Sequence, residues 1–247
     1  MDDGWSALAG QWSELWAGSA APAHEALIAA SGIRRGSRVL DVGCGSGEFL
    51  RTLSDRGAVA AGIDPAAGMV ALARTLAPLA DVRVGEAERL PWPEAVFDVV
   101  TAVNALQFAD DTIDALAEFT RVLAPGGFVA VANWAEGARN DLDVIERAVA
   151  EADGEDVAPD GDLRVAGGLE AVFVEGGLTV VTAGTVAVPW QVPDDETLVR
   201  GVLLGEDPSV LRELAPVVLA AAAPFRVAGG GYLLQNTYRF AVAATPV

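Results

Sequence analysis

A chain of 247 residues that is 52% hydrophobic can bury a large core, and its 27 glycines imply many tight connections. Its 35 acids face only 16 bases, every one an arginine, and a formal charge of -19 repels phosphate backbones, which takes nucleic acid out of the expected partners. A single cysteine, Cys44, and a single histidine, His24, supply neither an internal disulfide nor a soft-ligand metal cluster, so no metal is expected.

The opening Met1-Asp2-Asp3 is acidic and lacks the pattern of a secretory signal. The apolar stretch over 214–225 is interrupted by Pro216 and Pro224 and reads as too short to span a bilayer. With the lone cysteine, these features predict a cytoplasmic protein without membrane contact.

Trp5, Trp12 and Trp16 recur at helical spacing and predict an N-terminal helix with one tryptophan face. Residues 1–24 form an expected helical lid, whose tryptophan face either packs on the domain or closes over a ligand, since indole also attracts cations. A second helix is expected over 22–30, with Pro22 inside its start and Gly32 past its end.

Val39-Leu40-Asp41-Val42 is an apolar run broken by one acid, as in a buried parallel strand. Gly43, Gly45 and Gly47 follow at alternate positions, and helical character resumes at Glu48. Glycine is demanded where a strand turns sharply into a helix and the backbone nears a ligand. The helix start beyond it offers unpaired N–H groups and a positive dipole end to a carboxylate or phosphate.

Residues 58–63 make a second short apolar strand that ends in Asp64-Pro65. An acid at this tip, one helix after a glycine bend, is where nucleotide-binding α/β folds hold ribose hydroxyls, because a carboxylate accepts two hydrogen bonds from a vicinal diol. The same side chain would also cap a helix over 66–76. Strands over 82–85, 97–103 and 128–134 and a helix over 112–123 extend the alternation. The predicted fold is α/β, a doubly wound parallel sheet with continuous apolar strands.

Further on, helices are expected over 141–152, 168–175, 194–204 and 209–222, an acidic loop over 151–162, a strand over 178–188 and a long closing strand over 232–244. No repeat or linker divides the chain, so residues 1–247 are expected to form a single domain, with substrate-cap segments at 135–165 and 190–228 assigned by elimination.

In order, these pieces resemble a class I S-adenosylmethionine-dependent methyltransferase of the small-molecule branch related to the quinone-biosynthesis methylases. Val39 to Gly47 resembles the family's acid-x-Gly-x-Gly-x-Gly loop, and Asp64 its acid after the second strand. Glu86-Ala87-Glu88-x-Leu90-Pro91-Trp92 is similar to the segment that flanks the adenine, although Glu86 stands where the family often has Asp. Phe97-Asp98-Val99-Val100 and Arg121-Val122-Leu123-x-Pro125-Gly126-Gly127 resemble two later signatures. A dehydrogenase fold would need Gly-x-Gly-x-x-Gly, and Glu48 stands where its third glycine would be.

The resemblance implies a Rossmann-like seven-stranded sheet, mostly parallel with an antiparallel C-terminal strand and helical cap insertions. It implies S-adenosylmethionine as cofactor, a small-molecule substrate and methyl transfer to an O, N or C atom. Asp41 and the backbone of Gly43, Cys44, Gly45 and Gly47 would hold its methionine end, Asp64 its ribose, and Glu86, Ala87 and Glu88 would lie near its adenine. Asn104 would face the methionine or the methyl group, and Pro65, Met69 and Trp12 are further expected contacts. A sulfonium already carries its activation, so alignment dominates and no dedicated base is required. By position, His24, Gln107 and Trp134 are the candidate catalytic or substrate-side residues. His24 otherwise reads as a surface or helix-end histidine. The alternative function is a cofactor-binding partner or regulator that transfers no methyl group.

Overall fold

The computed structural model describes residues 3–157 and 159–245. Met1 and Asp2 of the acidic opening, and Ala158 of the acidic loop, lie outside the described residues. The chain runs α1 (Asp3–Leu15), α2 (Ala21–Ser31), β1 (Arg38–Val42), α3 (Glu48–Asp55), β2 (Val59–Asp64), α4 (Ala67–Leu76), β3 (Asp81–Val84), β4 (Phe97–Val103), α5 (Thr112–Val122) and β5 (Leu123–Trp134). It continues as α6 (Asp141–Asp153), α7 (Gly168–Glu175), β6 (Thr179–Ala187), β7 (Trp190–Val192), α8 (Asp195–Val202), α9 (Pro208–Ala222), β8 (Tyr232–Leu234) and β9 (Thr237–Ala244).

Seven strands form one sheet in the order β3-β2-β1-β4-β5-β9-β6. β1 lies parallel to β2 and β4, and β9 alone runs antiparallel, between β5 and β6. This is the predicted doubly wound sheet. Successive side chains of a strand point to opposite faces, so β1 and β4 serve two cores at once. Leu40, Val42 and Val100 pack with Leu116, Phe119 and Phe173 on the α5–α7 face. Val39 and Val99 pack with Leu27, Phe49, Leu53 and Val70 on the α2–α3–α4 face. Burial on both faces is why these strands read as continuous apolar runs.

Three expectations are corrected. The closing strand is two strands: β8 pairs with β7 in a separate two-stranded sheet, and β9 joins the large one. The break falls at buried Asn236, whose Oδ1 accepts the Leu142 N–H and whose carbonyl accepts the Val188 N–H, so the chain is pinned to two other elements instead of continuing a ladder. β5 begins at Leu123, which pairs with Phe97 before an irregular stretch over Pro125 and Gly126 (φ 79°) and a resumed register at Val99 and Phe128. Finally, Pro216 does not interrupt α9: the 18 residues Pro208–Phe225 form one helical stretch long and apolar enough, by length and composition, to cross a membrane.

The segments assigned to the cap gather around their own small core. Leu142 and Ile145 of α6 meet Leu198 and Leu203 of the α8 region, Leu214 and Val218 of α9, and Tyr232 and Leu234 of β8. Leu15 and Trp16, at the end of α1, belong to the same cluster.

Candidate functional site

The bend after β1 is built by sterics. Gly43, Gly45 and Gly47 have φ of 69°, 52° and 95°, a region that side chains with a Cβ avoid. A Cβ on Gly43 would lie 2.3 Å from Ala105 Cβ, and one on Gly47 would lie 2.7 Å from Ala73 Cα. Gly45 is different: a Cβ there would meet nothing within 4 Å, because this glycine faces a cleft. The N–H groups of the bend, expected to lie at the cofactor's methionine end, are largely engaged within the protein. Gly43 and Cys44 donate to Ile63 O, Gly47 to Cys44 O, and Gly45 to Asp64 Oδ2 at 2.9 Å.

The cleft, of about 80 Å³, is lined by Asp41, Gly43, Cys44, Gly45, Glu48, Phe49 and Asn104, with Trp12, Trp16, His24 and Tyr238 also bordering it. Asp41 sits on β1 and is 3% exposed, with Oδ1 accepting the Thr101 hydroxyl at 2.7 Å. Burial pushes its pKa up to about 7 against that hydrogen bond, and the charges of Asp64 and Glu48 add to the rise. Burial also raises Glu48, although the Ser46 hydroxyl donates to its Oε1 at 2.7 Å. Two carboxylates crowded into one buried cleft make a site that favours an organic cation. Burial lifts the Cys44 thiol well above its ordinary value, so it is not poised as a nucleophile.

His24 is not the surface histidine that the sequence suggests. It is 7% exposed on α2, with its ring stacked on Phe49 at 4.4 Å between centroids and 7° between planes. Burial lowers its pKa to about 4, so it is neutral at pH 7. Asn104 directly follows β4 with φ 51°, a conformation that Asn tolerates better than most residues. Gln107 braces it: Nε2 donates to the Asn104 carbonyl at 3.0 Å and to Oδ1 at 3.1 Å, and Asn133 Nδ2 donates to Gln107 Oε1 at 2.7 Å. Gln107, itself exposed, braces Asn104 and does not line the cleft. Trp134 does not line it either; it lies edge-on to Tyr238 at 4.6 Å and to Trp16 at 6.5 Å.

Asp64 latches the turn before α4 and the bend at once, and α4 itself starts after Ala66 with no side-chain cap, unlike the expected Asp64 cap. Oδ1 accepts the Ala66 N–H at 2.9 Å while Oδ2 accepts Gly45 N–H, and the residue is 8% exposed. α1 covers this corner. Ala9 packs with Ala66 and Met69, Trp12 lies against them, and Ser6 accepts the Gly68 N–H at 3.0 Å. Met69 is buried under α1 and Pro65 is exposed; neither lines the cleft. The Glu86–Glu88 segment does not line it either. Glu86 is exposed, Ala87 packs against the core, and Glu88 Oε1 accepts the Asp110 N–H at 2.6 Å, which braces the approach to α5.

The tryptophan face forms a ladder over the site, Trp5 to Trp12 at 5.4 Å, Trp12 to Trp16 at 6.0 Å and Trp16 to Trp190 at 4.0 Å. Trp16 Nε1 donates to Gly201 O, Trp190 Nε1 donates to Leu15 O, and Glu14 pairs with Arg200, so the end of α1 is clamped to the cap. The face packs on the domain, as one of the two sequence readings expects, and Trp12 and Trp16 also border the cleft. Glu48, Phe49 and Tyr238 were not legible as site residues, since no motif marks a tyrosine on a closing strand. No group of residues that could hold a metal ion occurs among the described residues.

Residues 40–131 match the methyltransferase domain family. The matched stretch runs from β1 into β5, so this part of the chain is similar to a methyltransferase domain. It is 33% identical over 118 residues to a malonyl-[acyl-carrier protein] O-methyltransferase of Serratia marcescens, covering 48% of this chain and 46% of the relative. It is 36% identical over 111 residues to a demethylmenaquinone methyltransferase of Beutenbergia cavernae (45% and 46%), and 35% over 109 residues to a 27-O-demethylrifamycin SV methyltransferase of Amycolatopsis mediterranei (41% and 40%). The aligned part spans about half the length of the curated relatives or less. Among solved structures, a SAM-dependent methyltransferase of Thermotoga maritima shares the fold at a TM-score of 0.59 and 16% identity over 98% of each chain. The [4+2]-cyclase SpnF shares it at 0.59 and 20%, over 91% of this chain and 80% of its own.

Proposed function

We propose that this protein is a methyltransferase that moves the methyl group of S-adenosylmethionine to an O, N or C atom of a small molecule. The observation that carries the proposal is Asp41. This carboxylate is buried at the carboxyl ends of β1 and β4, beside a glycine whose missing Cβ opens the cleft. Ligands of open α/β sheets bind at that end. The donor set fits the cofactor: Asp41 and Glu48 suit its ammonium and sulfonium charges, and Asp64 on the neighbouring strand suits its ribose. When bound, the cofactor supplies a methyl group already activated on sulfur.

The chain's own residues then align and shield. Asn104, held by Gln107, presents the β4 tip, and the tryptophan ladder excludes water from the same space. Alignment of this kind supplies roughly 7–11 kcal/mol of barrier lowering, so catalysis needs no strong base. A cleft of 80 Å³ is far below the roughly 300–1,000 Å³ of sites that enclose a drug-sized ligand. Seating an adenosyl group therefore requires α1 to lift from Ala66 and Met69, which also uncovers Asp64. The names of the relatives support acceptors that are small or carrier-bound metabolites. A cytoplasmic setting is part of the proposal and rests on one cysteine, free and buried.

Calorimetric titration of the purified protein with S-adenosylmethionine tests the reading: we expect saturable binding, and no heat up to millimolar ligand sinks it. A second reading is cofactor binding without methyl transfer, favoured by the fold shared with a protein named as a cyclase. Methyl transfer to any member of a small-molecule panel excludes it.

A further inference from the structure

We propose that His24 and Tyr238 form the subsite for the carboxylate of the cofactor's amino-acid tail, opposite in charge preference to Asp41 and Glu48. The inference rests on the cofactor reading above. Both residues border the cleft, His24 from α2 and Tyr238 from β9, and they are 7% and 3% exposed. Neither side chain makes a hydrogen bond to any described residue, and burial is the sole cause of each one's shifted titration. Buried polar groups in folded proteins are overwhelmingly paired, so two unpaired ones facing a single cleft point to a ligand that pairs them.

The ligand's chemistry follows from what else borders the cleft. An amino-acid tail brings an ammonium and a carboxylate together. Asp41 and Glu48 suit the first and repel the second, so the carboxylate needs donors of its own. Most other donors there are committed. Trp16 Nε1 donates to Gly201 O at 3.1 Å, the Ser19 hydroxyl to Trp16 O at 2.8 Å, and Gly43, Cys44, Gly45 and Gly47 use their N–H groups within the protein. No arginine lines the cleft among the described residues, and the chain has no lysine. A phenol and a neutral imidazole each offer one donor. Both rings are pre-set by packing, His24 flat on Phe49 and Tyr238 edge-on to Trp134, so little freedom is lost on binding.

The test measures dissociation constants of the full chain for two probes that differ only in this group, S-adenosylhomocysteine and decarboxylated S-adenosylhomocysteine. The native protein should bind the first at least tenfold more tightly, because hydrogen bonds to a charged group are worth about a decade or more in affinity. Tyr238→Phe and His24→Leu should each weaken S-adenosylhomocysteine about tenfold. The decarboxylated probe should change less than twofold. His24→Gln, which keeps a donor, should recover part of the loss. Equal weakening of both probes, or no weakening of either, overturns the subsite while leaving the cofactor reading intact. Failure of the native protein to bind either probe overturns both. If His24→Leu does not fold, Tyr238→Phe decides alone, since it removes one oxygen from a ring whose packing stays.

Discussion

The bend between β1 and α3 and the cap built from α6, α8 and α9 are held by different physics. In the bend, backbone and side chains approach so closely that residue type is dictated position by position: Gly43 and Gly47 have no room for a methyl group, and Asp41 is sealed between two strands. In the cap, Gly154 also has a positive φ of 76°, yet a Cβ there would touch nothing. The cap also holds a larger cavity than the cleft, about 330 Å³, lined by five acids (Glu146, Asp153, Glu155, Glu206 and Glu213) over Val149, Val202 and Leu214. Cavity size thus does not mark the site. What marks it is buried, unpaired chemistry beside a backbone that only glycine can form.

The contrast is sharpest for glycine replacement. Gly47→Ala combines positive-φ strain with overpacking against the Ala73 backbone and should lower stability by about 3 kcal/mol. Gly154→Ala meets only the strain and should cost about 1 kcal/mol. Denaturant midpoints of the two variants check this, and equal losses would erase the distinction between the regions.

Next in size is Asp41→Asn, which should weaken S-adenosylmethionine at least tenfold, since a hydrogen-bonded charge partner is worth roughly 1.5–3 kcal/mol. The cofactor-free protein should respond in the opposite sense. Asp41 has a folded-state pKa of about 7, above the ordinary carboxylate value of about 3.9, so its folded form keeps a proton that the unfolded chain releases. Stability therefore falls as pH rises from about 4 to about 7. Asn removes that fall, so the variant should melt higher than the native protein at pH 8 and not at pH 4. By the same linkage, cofactor affinity should rise through about pH 7 as Asp41 ionises.

Asp64→Ala should weaken the cofactor several-fold and cost about 1 kcal/mol of stability through the lost hydrogen bonds from the Ala66 and Gly45 N–H groups. Unchanged affinity would remove Asp64 from the ribose role. Trp12→Ala loosens α1 over that acid and should change cofactor dissociation a few-fold in stopped-flow traces, with a smaller change in affinity. Smallest of all, Glu213→Gln in the cap cavity should leave the cofactor dissociation constant within twofold; a larger change would show that the cap reaches the site.

Much of this protein was legible in its sequence, and the reasons are local. A parallel strand buried on both faces must be apolar throughout, and a bend without space for Cβ must be glycine. An acid that breaks such a strand must have a partner or a ligand. These constraints act over a few residues, so 38–134 declared β1 to β5, the bend, Asp41 and Asp64 without reference to the rest of the chain. Tertiary structure alone decided the remainder. It put α1 over Asp64, left Glu86 and Glu88 out of the lining of the cleft, divided the closing strand at Asn236, and brought His24 from α2 to the same space as Tyr238 from β9. Those outcomes depend on which distant side chains leave a polar atom without a partner, and packing between elements far apart in the chain settles that.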